Sequence, residues 1–174
     1  LVIVAEPLAD IEKTFGALSP FLEEGAVVTD TARLKAPVLR WAEDYLPDLG
    51  SFLGEHFILN PAVVGMQSLE GRGEASSDLL KEALYCFTPS PTTSSAAIDV
   101  CTWLAYALGM HPFFIDVTEH DGLQAGVEGL PELLTIALLR ATVDRPGWEE
   151  MRKFAGHRFA TATEGVDDVS KRHS

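Results

Sequence analysis

Cysteine is nearly absent: Cys86 and Cys101 are the only two in 174 residues, and each is set among apolar neighbours, in Leu84-Tyr85-Cys86-Phe87 and Val100-Cys101-Thr102-Trp103. Such a count excludes a disulfide framework, and the settings predict two buried thiols packed as small hydrophobes. The five histidines, 56, 111, 120, 157 and 173, form no HxxxH pair and no Cys/His pairing at zinc spacing, so no metal is expected. No apolar run approaches the ~20 residues that cross a bilayer, and the first residues lack the basic, apolar and small-residue order of a secretory signal. The expectation is a soluble cytoplasmic protein with no membrane partner. Basic residues are also scarce, 13 Lys and Arg against 26 Asp and Glu, and the net charge of -13 would repel a phosphate backbone. Nucleic acid is therefore not an expected partner. Finally, no GxGxxG turn occurs anywhere in the chain.

What is present is a chain of globular composition, 47% hydrophobic and 22% charged, that alternates strand and helix patterns. LVIVAEP opens on a strand over residues 2–7. Leu8, Ile11, Phe15, Leu18 and Leu22 follow at helical spacing, with Pro20 kinking or splitting that helix and Gly25 ending it. Ala26 to Asp30 is a second strand. Val38, Leu39, Ala42, Tyr45 and Leu46 mark a helix that stops before Pro47, and Ser51 to Leu59 reads as a third strand. MQSLEGRGEASSD, over 66–78, is a surface loop by composition. Ala83 to Thr88 is a fourth strand, Thr92 to Ser95 offer caps for a helix ending at Gly109, and Pro112 to Val117 is a fifth strand. From a cap at Thr118 the pattern is helical to Val143, although Gly122, Gly126, Gly129 and Pro131 interrupt it. Glycines in such places predict close helix packing or close approach of a ligand. A turn at 144–147, a short helix at 148–154 and a fraying tail complete the chain.

Strands apolar on both faces, joined by helices, predict parallel pairing with crossovers. The fold class is α/β: the second half of a doubly wound, Rossmann-like and mainly parallel sheet over 1–118, then the start of an all-helical region over 119–174. A chain that opens on a buried strand, with no glycine turn, reads as starting partway through such a domain, as a truncated or partial product.

Several segments together resemble the prephenate and arogenate dehydrogenase family. LVIVAEP is similar to that family's fourth strand, GAVVTDTARLK to its GAxVTDVGSVK, FLGEHF to its FVGGHP and YCFTPSP to its VLTPT. TEHDGLQAGVEGLPELLTIAL is similar to its SPEEHDRxxAxVSHLPHLxAxAL, and FAGHRFATATE more faintly to its AGGGFRDTTR. The resemblance implies an NAD(P)-dependent oxidoreductase of tyrosine biosynthesis, with a dinucleotide-binding domain, a helical domain that pairs two subunits, and a small-molecule substrate at their junction. It implies His56 as the catalytic residue that accepts the proton of the substrate's ring hydroxyl while hydride passes to the nicotinamide and carbon dioxide leaves. Imidazole suits that task because its ordinary pKa lies near neutrality. Pro7, Thr31, Ala32, Arg33 and Lys35 would line NAD or NADP, since ligands lie at the carboxyl ends of such strands.

Other family positions differ. The serine of GSVK falls at Arg33, the serine and histidines of SHLPH at Glu128, Gly129 and Glu132, and the arginine that clamps a substrate carboxylate at Glu164. A carboxylate in place of that guanidinium reverses the local charge and forfeits a bidentate contact. The substrate-facing positions are then Arg33, Gly129 and Glu132, with Arg33 a candidate relocated clamp beside Lys35. Two alternatives stay open: a non-catalytic relative used in assembly or regulation, and another two-domain dehydrogenase acting on a hydroxyacid or imine. A homodimer is expected, through an uncovered sheet edge or the 119–143 helix.

Overall fold

The computed structural model describes residues 1–47, 51–60, 62 and 78–163. By contacts the chain divides into two compact units, Leu1–Leu123 and Gln124–Ser174.

The first unit is built on five strands in the order β1-β2-β3-β4-β5: β1 Val2–Val4, β2 Val28–Asp30, β3 Phe52–Ile58, β4 Leu84–Thr88 and β5 His111–Phe114. β1, β2 and β3 run parallel, as do β4 and β5. The pair β3–β4 is antiparallel, with Gly54 opposite Thr88 and His56 opposite Cys86, so the sheet is mainly rather than wholly parallel. Residues 66–77 of the expected loop lie outside the described residues.

Helices α1 Leu8–Leu18, α2 Ala36–Tyr45, α3 Ser95–Ala107 and α4 Val117–Gln124 complete the unit. α1 ends at Leu18 rather than at Gly25, because Pro20, which lacks an N–H, tightens the chain into a 3-10 turn over Ser19–Phe21. Among the candidate caps, Ser94 opens α3 by accepting the Ala97 amide at 3.2 Å, and Gly109, at φ +74, turns the chain out of it. α4 is capped by Asp116 instead of Thr118: the Asp116 carboxylate accepts the Thr118 and Glu119 amides at 2.7 and 3.2 Å. The fifth strand is accordingly shorter than the apolar run, since Val117 already belongs to this helix.

Alternation along the strands sends side chains to two cores, as a doubly wound sheet requires. Val28 and Phe52 pack with Ile11, Phe15, Val38 and Ala42, from α1 and α2. Their neighbours Val27 and Leu53 face the other way, to Tyr85, Phe87, Ala97, Cys101 and Ala105. Both cysteines are buried free thiols, as their neighbours predicted. Gly54 allows a close approach in β3: a Cβ there would lie 2.5 Å from Thr88 Oγ1. The described part of the first unit thus has helices on both faces of its sheet.

In the second unit, α5 Leu130–Thr142 follows a π-helical stretch over Ala125–Gly129 and precedes α6 Trp148–Met151 and α7 His157–Thr163. Among the described residues no close helix packing occurs at Gly122, Gly126 or Gly129: a Cβ built at any of them would meet no described atom within 4 Å. The π-helical stretch ending at Gly129 absorbs the irregularity instead. α7 had no counterpart in the sequence reading; its few residues are too short a window for a period to show. No helix among the described residues is long and apolar enough to cross a membrane.

Candidate functional site

Parallel strands β1, β2 and β3 end side by side, and β3 outruns its neighbour. Asp30, the last residue of β2, pairs with Gly54, so Glu55 to Ile58 project past it. The loop that leaves β2, Thr31 to Lys35, folds over this projecting end. Its hold is an ion pair. Lys35 Nζ donates to Asp30 Oδ2 at 2.6 Å and to the Glu55 carbonyl, while Asp30 also accepts the Ala32 amide at 2.9 Å. Both side chains are buried. Burial pushes the Asp30 carboxyl up and the Lys35 amine down, and their mutual attraction opposes both shifts.

Glu55 and His56 then point to opposite faces. Glu55 enters the core, where burial pushes its carboxyl up and the Tyr85 hydroxyl donates to it. His56 faces α4. Its Nδ1 lies 3.1 Å from His120 Nε2, and His120 Nδ1 lies 2.9 Å from Asp121 Oδ1. Asp121 also caps α2, accepting the Lys35 and Ala36 amides at 2.8 and 2.9 Å. Burial works to raise the Asp121 carboxyl, but the two amides and His120 outweigh it and hold it below the usual carboxylate range. Both imidazoles are buried, His56 at 7% and His120 at 3% exposure.

Burial, then positive charge nearby, Lys35 foremost, press the His56 ring down to about 3, with Asp121 pulling the other way. A measurable pH effect follows. Below the ordinary value of 6.5 the unfolded chain protonates His56 and the folded chain does not, so this residue's contribution to stability is full above 6.5, is lost as pH falls, and levels off near 3. The slope is about 1.4 kcal/mol per pH unit. Asp30 and Glu55, shifted upward, act in the opposite sense. The His56 part is therefore read as the difference in urea stability between the parent and His56→Asn, which is expected to slope in that window and to be flat above pH 7.

The structure brings together part of the residue set expected from sequence. Thr31, Ala32 and Arg33 follow β2, with Arg33 exposed and close enough to act on the charge of His56. Pro7 is exposed at the start of α1, after β1. Lys35 is spent on Asp30 and Glu55. Gly129 and Glu132 lie in the second unit, at the end of the π-helical stretch and in the first turn of α5. Glu164 is outside the described residues. His120 and Asp121 were given no role from sequence, although the signal was there, in the EHD of TEHDGL.

Residues 1–111 match the family model for the nucleotide-binding domain of prephenate dehydrogenase. The chain belongs to that family. Prephenate dehydrogenase of Bacillus subtilis (strain 168) is 26% identical over 145 residues, 81% of this chain and 37% of that protein. Among solved structures, prephenate dehydrogenase from A. aeolicus, in complex with hydroxyphenyl propionate and NAD+, superposes with a TM-score of 0.79 at 20% identity, covering 95% of this chain and 55% of the other. Synechocystis arogenate dehydrogenase gives 0.71 at 22% identity, covering 94% and 56%. The chain thus spans between about a third and a little over half of the length of these relatives.

For a nucleotide-binding domain of this family the donor set at the strand ends is suitable in part. Pro7, the Thr31 to Arg33 loop and His56 surround the carboxyl ends of three parallel strands, the place where such sheets bind ligands. No GxGxxG motif occurs among the 174 residues, so the fit of these strand ends concerns the nicotinamide end of the cofactor and not its pyrophosphate.

Proposed function

We propose that this chain is the nicotinamide-side part of an NAD(P)-dependent dehydrogenase that oxidatively decarboxylates prephenate, arogenate or a near analogue. The observation that carries this reading is the placement of His56 where β3 outruns β2, beside the Arg33 loop, in a chain of the prephenate dehydrogenase nucleotide-binding family. Bound at the strand ends, the oxidised nicotinamide would supply the hydride acceptor.

The chain's own residues do the rest. Pro7, which follows β1, and Thr31 and Ala32, which follow β2, are the residues that would hold the nicotinamide end. His56, neutral at physiological pH, takes the proton from the substrate's ring hydroxyl as the carbinol hydrogen departs as hydride. Loss of carbon dioxide leaves its electron pair in the ring, which becomes a phenol once the imidazolium returns the proton. A ring held near 3 is a weak base, and the remedy is the substrate itself. A carboxylate brought beside exposed Arg33 offsets one of the charges that depress His56, and so raises it toward the working pH.

Arg33 is the exposed cation of the loop and the candidate carboxylate clamp; with Lys35 consumed by its buried ion pair, Arg33 acts without the second charge expected from sequence. Pairing into a homodimer belongs to the same reading, supported by exposed Val127, Leu130, Leu133 and Leu134 in the second unit.

The test is cofactor reduction by the full-length protein supplied with prephenate or arogenate. Turnover with one of them is expected, and Arg33→Ala is expected to raise the KM for it roughly 10- to 100-fold, the worth of a charge-assisted contact. No reduction of NAD or NADP with either substrate would overturn the assignment. An unchanged KM in Arg33→Ala would remove the clamp alone.

A further inference from the structure

The hydrogen bonds around His56 fix more than its position. Asp121 is ionised and can only accept, and both of its oxygens already hold backbone amides at the start of α2. The third group within reach of it, His120 Nδ1, must therefore be a donor. A neutral imidazole protonated at Nδ1 carries its lone pair on Nε2, the atom that lies 3.1 Å from His56 Nδ1. That lone pair needs a donor, so the proton on His56 sits on Nδ1 and the lone pair of His56 on Nε2.

The other arrangement makes His120 an imidazolium that donates to His56 Nδ1. It would put a full positive charge on a ring only 3% exposed, next to a carboxylate already shared between two amides. The neutral chain avoids that cost.

We infer that Asp121 and His120 are positioning residues that set the tautomer of His56, so that its Nε2 is the proton-accepting atom. The inference rests on the proposed role of His56 as base. The sequence of events is then closed. The substrate hydroxyl proton goes to His56 Nε2, the ring becomes an imidazolium that keeps its Nδ1–H bond to His120, and the same proton is returned to the phenolate oxygen. No proton passes to Asp121, which holds His120 in one tautomer throughout. The order Asp-His-His places an orienting carboxylate one ring farther from the reacting atom than in the serine hydrolases.

The test is long-range proton–nitrogen correlation NMR of the full-length protein labelled with 15N-histidine, recorded near neutral pH without substrate or cofactor. His56 and His120 are both expected to show a protonated Nδ1 and a pyridine-like Nε2. A His56 ring protonated at Nε2, or a His120 ring protonated at both nitrogens, would overturn the inference.

Asp121→Asn supplies the functional arm. With its one amide oxygen kept on the Ala36 amide, its NH2 takes the place of Oδ1, faces His120, flips that ring and through it His56, at the cost of the Lys35 amide's acceptor. The kcat is expected to fall on the order of 10²- to 10⁴-fold with the KM for cofactor unchanged, as when an orienting carboxylate becomes an amide elsewhere. A kcat within threefold of the parent in a folded Asp121→Asn would count against the inference. Should that variant fail to fold, His120→Phe serves: the His56 spectrum is expected to shift toward the Nε2-protonated form, and an unchanged spectrum would remove the positioning role. Because the spectra need no turnover, the tautomer can stand while the dehydrogenase reading falls, or the reverse.

Discussion

Lys35→Met is expected to lower the stability of the protein by about 3–5 kcal/mol, the cost of removing one partner of a buried ion pair. The substitution keeps most of the side chain's volume, so little of the loss comes from packing. What remains is the Asp30 carboxylate, buried, with amide donors from Ala32 and Glu55 and no counter-charge. The Glu55 carbonyl loses its ammonium donor at the same time. Desolvation already presses the two groups toward their neutral forms, so taking away the attraction exposes the whole penalty at once. Removing both charges, as in Asp30→Leu with Lys35→Met, is expected to restore part of the stability, because apolar replacements of a buried pair are often neutral. Urea denaturation of the parent, the single and the double variants reads the three values. A loss below about 1 kcal/mol in Lys35→Met, or a double variant worse than the single by the full value of Asp30, would show that the pair does not bind the β2 loop to β3. The site depends on that tie, since the same ammonium grips the carbonyl of the residue before His56.

Much of this fold was legible in the residues. Strand and helix periods located β1 to β5 and α1 to α3, because Val, Ile, Leu and Phe recur at the spacing each element buries. The antiparallel pairing of β3 with β4 was not legible, because the composition before β4 signals a loop and not the direction in which the chain returns. Local chemistry was misread where two caps competed. Thr118 and Asp116 both suit the start of α4, and only the hydrogen bonds of Asp116 decide between them. Glycines 122, 126 and 129 left two readings open for a different reason, since a glycine records the absence of a side chain and not the cause.

The candidate site divides in the same way. His56 stood out because its motif, FLGEHF, carries one imidazole at the end of an apolar run. Lys35 was read as a charge facing the ligand, and its pairing with Asp30 depends on a loop fold that spacing does not encode. His120 and Asp121 were visible in EHD but had no role until the structure set them 64 and 86 residues from their partners His56 and Lys35 along the chain.

His56→Asn carries the second large effect. Asparagine is close in size, and its side-chain amide can donate to His120 Nε2 as the imidazole Nδ1 does, so the fold and the α4 contact are expected to survive. What it cannot do is accept a proton and give it back. The loss of a positioned general base is worth roughly 10²- to 10⁴-fold. Measured on the full-length protein with the substrate it turns over, His56→Asn is predicted to lower kcat by that factor, with the KM for NAD or NADP unchanged. A variant that keeps kcat within a few-fold of the parent would contradict the account, because the proton would then leave by another route.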